Sequence, residues 1–190
     1  MISKYIEQEE YNKAQELIDS IPKQSIDKTG LQVNLFIKQG KNNEALELLE
    51  QNLLVKVNEI QIILLKLMGV NMAENKIEEA EYMANIFEGT AKLYDLWEYN
   101  LYAANFELAV LKKDEEESIR LLKCMLEAMK KKWDINSSLL YKNIKTKENN
   151  IGIENLLLSS LIKEIEKDEK FEFLRSNQRY FKLINQGTKV

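Results

Sequence analysis

Apolar residues recur at three- and four-residue spacings along most of the chain, and four stretches of this pattern resemble one another. Each stretch opens with a polar run, EEYNKA, GKNNEA, NKIEEA or KDEEES, that ends on a small residue. These four small residues, called the marker residues below, are Ala14, Ala45, Ala80 and Ser118, so the copies are 31, 35 and 38 residues apart. Apolar residues follow near three, four and seven positions after each marker residue, which is the spacing of one face of an α-helix.

The four copies predict a repeat of helical hairpins. In each copy the first helix ends at the polar turn, and the second begins one or two residues before the marker residue, whose small size lets the two helices approach closely. Gly40 and Asn75 suit the left-handed position that closes a helix. Acidic residues such as Glu78 and Glu115 fall near the start of the second helices, where the helix dipole favours negative charge. The first helices are expected over residues 31–39, 59–73 and 93–111. An irregular helical bundle is the alternative.

The repeat register is lost from about Trp133. Residues 140–152 predict a loop, and residues 153–166 predict an amphipathic helix with Leu156, Leu157, Ser160 and Leu161 on one side. The next segment offers a packing set around a break at Asn177, made of Phe171, Leu174, Phe181 and Ile184. We therefore expect residues 1–132 to form repeats and residues 133–190 to form a capping tail of the same domain, since an open array needs its last apolar face covered. A dimerisation element is the alternative for this tail.

Composition agrees with an all-α fold. The 190 residues include 6 Gly and 1 Pro, whereas a fold of many strands needs turn residues about every 8–12 positions. The net charge of −4 argues against direct binding of nucleic acid or of an anionic membrane. The basic run Lys130–Lys132 is interpreted as a complement to a helix C-terminus. No stretch has the length of a membrane span or the pattern of a signal peptide, so a cytoplasmic location is expected.

Few residues offer catalytic chemistry. The chain has no His, which removes His-based triads and His-ligated metal sites. The single Cys, Cys124, lies among apolar residues, where a structural thiol is expected. Most carboxylates stand beside Lys at helical spacing, which is typical of solvated helix faces. We predict no catalytic residue, no metal site and no cofactor. A small helical enzyme that uses carboxylates alone is the enzymatic alternative.

Two family resemblances add to this interpretation. KQGKNNEALELLEQ at residues 38–51 resembles the turn and second helix of a tetratricopeptide repeat, with Ala45 at the family's small position. Residues 94–126, 133–144 and 156–184 resemble the C-terminal sensor region of Xre-type helix-turn-helix transcription regulators, many of which respond to peptides. The resemblance implies a right-handed superhelix of tetratricopeptide-like hairpins with a helical C-terminal cap. Such regulators begin with a DNA-binding head that this chain does not show, so either a stand-alone sensor or a trimmed regulator is expected.

The first helices of such an array line its concave side. The marker residues then place seven residues in a groove for a peptide or protein segment, namely Asn34, Lys38, Lys66, Gly69, Asn100, Ala104 and Glu107. Asn suits this role because its amide can both donate to and accept from an extended backbone. The predicted function is therefore a non-enzymatic sensor module, with quorum sensing and transcription regulation implied by the resemblance. A scaffold or antagonist that docks a folded protein, or dimerises through its C-terminal helices, is the alternative.

Overall fold

The computed structural model describes residues 2–22, 28–146 and 153–187, and in these residues it contains helices and no strands. Short 3-10 turns occur at Ile135–Ser137 and Glu169–Phe171. The α-helices are α1 (Ile2–Glu7), α2 (Tyr11–Ser20), α3 (Lys28–Lys38), α4 (Asn42–Ala73), α5 (Ile77–Leu93), α6 (Asn100–Leu111), α7 (Glu115–Met129), α8 (Ile153–Lys167), α9 (Glu172–Arg175) and α10 (Gln178–Gly187). The predicted all-α class is confirmed.

The same turn precedes all four marker residues. Each marker residue is the fourth residue of its helix, α2, α4, α5 or α7, and each is at most 3 % exposed. Five positions before each one, the backbone is left-handed, with φ of 61° at Glu9, 72° at Gly40, 59° at Asn75 and 55° at Lys113. The helices begin three residues before the marker residue, slightly earlier than expected.

Hydrogen bonds of one type close these turns. The N–H of Lys41 donates to the carbonyl of Phe36 at 2.9 Å, and the N–H of Asp114 donates to that of Ala109 at 2.9 Å. This bond over five residues, together with a left-handed residue before the donor, is the Schellman closure of a helix C-terminus. The predicted left-handed roles of Gly40 and Asn75 are confirmed.

Contacts between residues divide the chain into two compact units, which are described separately. The first unit contains residues Met1–Lys56 and Asn136–Thr146, and the second unit contains Val57–Ile135 and Lys147–Val190. In the first unit, α1, α2 and α3 pack together around Ile6, Ala14, Ile18 and Leu35. The segment Asn136–Thr146 is fastened to the start of α4, since the Asn143 N–H donates to the Glu50 carboxylate at 2.6 Å.

Helix α4 departs from the predicted elements. The first helix of the third hairpin was expected over residues 59–73, separate from the second helix of the second hairpin. The structure instead has one helix of 32 residues from Asn42 to Ala73. Residues 52–58, NLLVKVN, contain neither Gly nor Pro, so nothing in the sequence stops the helix there. The expected helix over 93–111 is also shorter, because a left-handed Asp95 closes α5 and α6 begins at Asn100.

The second unit has two apolar clusters on either side of α6. One joins the end of α4 to α5 and α6, and its buried members are Leu64, Met68, Ala80, Ala84, Phe87, Ala104 and Leu108. The other joins α6 and α7 to the tail. The buried Gln61 also ties α4 to α5, because its amide donates to the Phe87 carbonyl at 2.9 Å. Helix α6 is therefore central, which explains why its sequence is apolar nearly all round.

The described tail packs on the last hairpin, although not through all of the expected residues. Phe171 stacks on Phe106 with ring centroids 5.9 Å apart, and Leu174 is fully buried. Phe181, however, is 53 % exposed and the adjacent Tyr180 is buried instead. In α8 the buried side chains are Leu158, Ile162 and Ile165, whereas the predicted packing residues Leu156, Leu157 and Ser160 are exposed. The break at Asn177 is confirmed between α9 and α10.

Candidate functional site

Two of the predicted groove residues belong to the first unit. Asn34 and Lys38 both lie on α3 with exposed side chains. The backbone carbonyl of Lys38 accepts a hydrogen bond from the Tyr11 hydroxyl at 3.1 Å, which links α2 to the end of α3. The side chains of Asn34 and Lys38 are thus available at the surface, and their role in binding stays a prediction.

Lys66 and Gly69 lie on the second-unit part of α4, beside open space. The Lys66 side chain is exposed. A Cβ atom placed on Gly69 would meet no atom within 4 Å, so the surface next to this glycine is uncovered. Both residues are accessible to a ligand, as the groove prediction requires.

The three groove residues on α6 already have partners within the second unit. The Asn100 amide donates to the Trp97 carbonyl at 3.2 Å, at the start of the helix. Ala104 is 2 % exposed and belongs to the core cluster with Leu64 and Met68. Its side chain therefore helps to hold α4 and α6 together and does not line a surface.

Glu107 is held by the tail. Its carboxylate accepts hydrogen bonds from the Lys170 ammonium at 3.1 and 3.2 Å. Burial of Lys170 disfavours its charge, but the carboxylates of Glu107, Glu164 and Asp168 outweigh this effect and raise the pKa of Lys170. The ion pair between Glu107 and Lys170 therefore links α6 to the tail.

A cleft elsewhere in the second unit is a further candidate site. It has a volume of about 280 Å³ and lies where α5, α6 and the start of α7 meet. Leu108 and Ala109 of α6, both buried, form an apolar floor. The polar walls of this α5–α7 cleft are formed by Glu81, Asn85, Asn105, Lys112, Asp114 and Glu117.

Most charges around the α5–α7 cleft are neutralised within the chain. Lys112 forms an ion pair with Glu81 across the cleft. Arg120 donates two hydrogen bonds of 2.6 Å to the Glu117 carboxylate, and these hydrogen bonds lower the pKa of Glu117. The Asp114 carboxylate accepts a hydrogen bond from the Glu117 N–H at 3.1 Å and so caps α7. These pairs shape the walls and leave little unpaired charge for a strongly charged ligand.

Two carboxamides keep spare hydrogen-bonding capacity in this cleft. The Asn105 amide donates to the Glu88 carboxylate at 3.0 Å, which fixes its orientation and leaves its carbonyl oxygen as an acceptor. Asn85 is exposed on α5, and its side-chain carboxamide lines the cleft. A carboxamide offers both a donor and an acceptor, which matches the N–H and C=O groups of an extended backbone. The Asn85 carboxamide and the Asn105 carbonyl oxygen could therefore hydrogen-bond groups of this kind.

A cleft in the first unit is more polar. It has a volume of about 440 Å³ and is lined by Asn43, Glu44, Glu47, Asn143 and Lys145. Lys145 pairs with Glu47 at 2.6 Å, and no apolar side chain contributes to the lining. The α5–α7 cleft, unlike this one, has apolar residues in its lining, Leu108 and Ala109, and ligand sites combine apolar with polar groups.

Asn85 was not predicted because only the expected first helices were assigned to the groove, and Asn105, although on one of those helices, lies outside the register of Asn100, Ala104 and Glu107. Asn85 lies on a second helix, five residues after the marker residue Ala80. Asn105 is on α6, one position from Ala104, and points to the opposite side of the predicted groove register. The sequence did contain a signal for these two residues, because each is an Asn on one of two consecutive helices, and consecutive helices in a repeat of hairpins are neighbours.

Comparisons with protein-family models, with curated proteins and with solved structures find no match for this chain. Among residues 2–22, 28–146 and 153–187, no helix combines the length and apolar character that a bilayer span requires. The same described part of the chain contains no cluster of three or more His, Cys, Asp or Glu side chains arranged to hold a metal ion.

Proposed function

We propose that this chain is a non-catalytic sensor module that binds a peptide or protein segment, as the resemblance to Xre-type regulators implies. In this proposal the helical hairpins form a tetratricopeptide-like right-handed superhelix. The buried marker residues and the four repeated turns support it, because the same left-handed turn and the same buried small residue recur in all four copies.

The α5–α7 cleft is the proposed binding site for this segment. Its apolar floor of Leu108 and Ala109 would take a side chain of the bound segment, and Asn85 and Asn105 would bond its backbone. Binding would act as a signal only if the segment has different affinity for two states of the module, which then shifts their populations.

The test begins with random-sequence peptides displayed on phage and selected on the immobilised chain. The affinity of the selected peptides is then measured by calorimetry for the wild type and for Asn85→Ala. We expect Asn85→Ala to weaken binding about fivefold, since one hydrogen bond contributes about 1 kcal/mol. Asn12→Ala, an exposed Asn on α2, is the matched control and should bind as the wild type does.

Two further variants, Lys66→Ala and Asn100→Ala, distinguish binding in the cleft from binding in the groove that was predicted from sequence. If Lys66→Ala and Asn100→Ala weaken binding while Asn85→Ala does not, the site is the predicted groove and the cleft is refuted. If no displayed peptide is enriched above a blank surface, peptide binding itself is refuted.

The alternative, docking of a folded protein or dimerisation through the C-terminal helices, has one observation in its favour. Leu156 and Phe181 of the tail are 66 % and 53 % exposed. Exposed apolar side chains of this size are typical of interaction surfaces when they are contiguous. Phe181→Glu would abolish an association through this tail, and sedimentation velocity would detect the change.

A further inference from the structure

The α5–α7 cleft has more carboxylates than cations. Its lining contains one cation, Lys112, and three carboxylates, those of Glu81, Asp114 and Glu117. Lys112 pairs with Glu81, and Arg120, which lies outside the lining, pairs with Glu117 at 2.6 Å. Three negative and two positive charges leave this part of the surface with a net charge of −1. The cleft therefore complements a ligand group that carries a single positive charge.

Asp114 is the carboxylate that these two ion pairs do not neutralise. Its Oδ1 atom accepts the capping hydrogen bond from the Glu117 N–H at 3.1 Å. A carboxylate has two oxygen atoms and about four acceptor positions, so the cap uses only part of its capacity. The Asp114 side chain is also exposed at the wall of the cleft. Asp114 can therefore accept a hydrogen bond from a cationic ligand and still cap α7.

The size and floor of the cleft indicate what kind of cation fits. Its volume of about 280 Å³ is just below the range of about 300–1,000 Å³ that is typical of sites for drug-sized ligands. The cleft therefore has room for one long side chain of a bound segment. Leu108 and Ala109 make its floor apolar. The side chains of Arg and Lys lay an apolar stem along such a surface while their charged end stays in a polar environment.

We propose that the segment bound in the α5–α7 cleft inserts an Arg side chain, with its methylene stem on Leu108 and Ala109 and its guanidinium against Asp114. This inference rests on the proposed function, because it assumes that the cleft binds a polypeptide segment. Arg is favoured over Lys because the guanidinium is more weakly hydrated than an ammonium and presents five donors in a planar fork. The carboxamides of the cleft remain available for the backbone of the segment.

The test uses the peptides that phage display selects on the wild-type chain. We expect these peptides to be enriched in Arg at one position, relative to the unselected library. Replacement of that Arg by citrulline removes the positive charge and nearly preserves the shape of the side chain. In calorimetry on the wild-type chain, the citrulline peptide should bind about fivefold more weakly, as the loss of one ion pair near a protein surface predicts.

Asp114→Asn tests whether this Arg reaches the cleft. Asn caps a helix about as well as Asp does, so the variant loses the charge and keeps the cap. It should bind the Arg peptide about fivefold more weakly than the wild type does, and it should bind the Arg and citrulline peptides with similar affinity. Glu127→Gln is the matched control, because Glu127 is an exposed carboxylate of the same helix that pairs with Lys123 outside the cleft. This control should bind both peptides as the wild type does, and urea denaturation verifies that both variants fold.

The possible failures of the inference and of the proposed function are distinguishable. Selected peptides that lose affinity in Asn85→Ala but are not enriched in Arg would overturn the inference and leave the proposed function in place. An Arg-dependent affinity that Asp114→Asn and Glu127→Gln weaken equally would also overturn it, because the effect would then come from the overall negative charge of the chain. A selection that enriches no peptide would instead refute the proposed function, and the inference with it.

Discussion

Replacing Ala80 by Leu tests whether the marker residues are points of close helix contact. Ala80 is fully buried as the fourth residue of α5, in the cluster with Leu64 and Met68 of α4. Leu adds three carbon atoms where Ala already fills the space between the helices. Given room, those atoms would stabilise the fold by about 0.8 kcal/mol each. Without room they push the helices apart or force strained rotamers, which costs about 1 to 3 kcal/mol.

We expect Ala80→Leu to lower the free energy of unfolding by about 2 kcal/mol, measured by urea denaturation followed by circular dichroism. Two variants control for the change of residue type. Ala73→Leu, on an exposed Ala at the end of α4, should change stability by less than about 0.5 kcal/mol.

Ala80→Ser is the second control, because Ser already occupies the equivalent position 118. There the hydroxyl donates to the Asp114 carbonyl four residues earlier at 2.5 Å, so a buried serine can be satisfied. Ala80→Ser should therefore cost less than Ala80→Leu. An Ala80→Leu variant as stable as the wild type would refute the close contact at this marker residue.

The remaining predictions concern the turns and pH. Gly40→Ala, at φ of 72°, should destabilise the fold by about 1 kcal/mol, whereas Lys113→Gly, at φ of 55°, should stabilise it by a few tenths of a kcal/mol or more, both measured by urea denaturation. Burial raises the pKa of Tyr99 and Tyr180 above 10.0, and nearby carboxylates raise the pKa of Lys170 above 10.5 against its burial. These three groups bind their protons more tightly in the folded chain than in the unfolded chain, so the stabilisation that they contribute is complete below about pH 10 and is lost as pH rises further. The urea midpoint of unfolding should therefore fall between pH 9 and pH 11.5. An unchanged midpoint would contradict these pKa shifts.

The positions of the four turns could be predicted from sequence, although not every residue there favours a left-handed backbone. Gly40 and Asn75 favour the left-handed backbone, but Glu9 and Lys113 adopt it without such a preference. The alignment of the four stretches places Glu9 and Lys113 in the same column as Gly40 and Asn75, but the left-handed backbone was predicted only for Gly40 and Asn75. A single copy of the pattern would not have shown that these positions are equivalent.

Repeat boundaries were harder to predict because a repeat need not end in a helix break. The pattern located the turns that precede α4 and α5, but the predicted boundary between the second and third hairpins was wrong, because no Gly or Pro forces a stop between Leu53 and Glu59. One predicted packing residue of the tail, Phe181, was wrong because of a helix break. The break at Asn177 resets the helical phase, so Tyr180 is buried where the pattern favoured Phe181.

The predicted groove depended on contacts that no linear pattern shows. Asn100 donates a hydrogen bond to the Trp97 carbonyl in the preceding loop, and Glu107 accepts hydrogen bonds from Lys170, which is 63 residues away in sequence. Asn85 and Asn105, by contrast, come together only because α5 packs on α6. The buried faces of α5 and α7 could be predicted from spacing, whereas that of α8 was wrong, and the partners of each polar side chain required the tertiary structure.

The most direct test of the binding proposal is a nuclear magnetic resonance titration of chain labelled with ¹⁵N-Asn, using a peptide selected on the wild type. If a peptide binds in the α5–α7 cleft, the side-chain amide signals of Asn85 and Asn105 should move in a saturable way while that of Asn12 stays in place. Saturable shifts confined to Asn34 and Asn100, with Asn85 and Asn105 unchanged, would contradict this account.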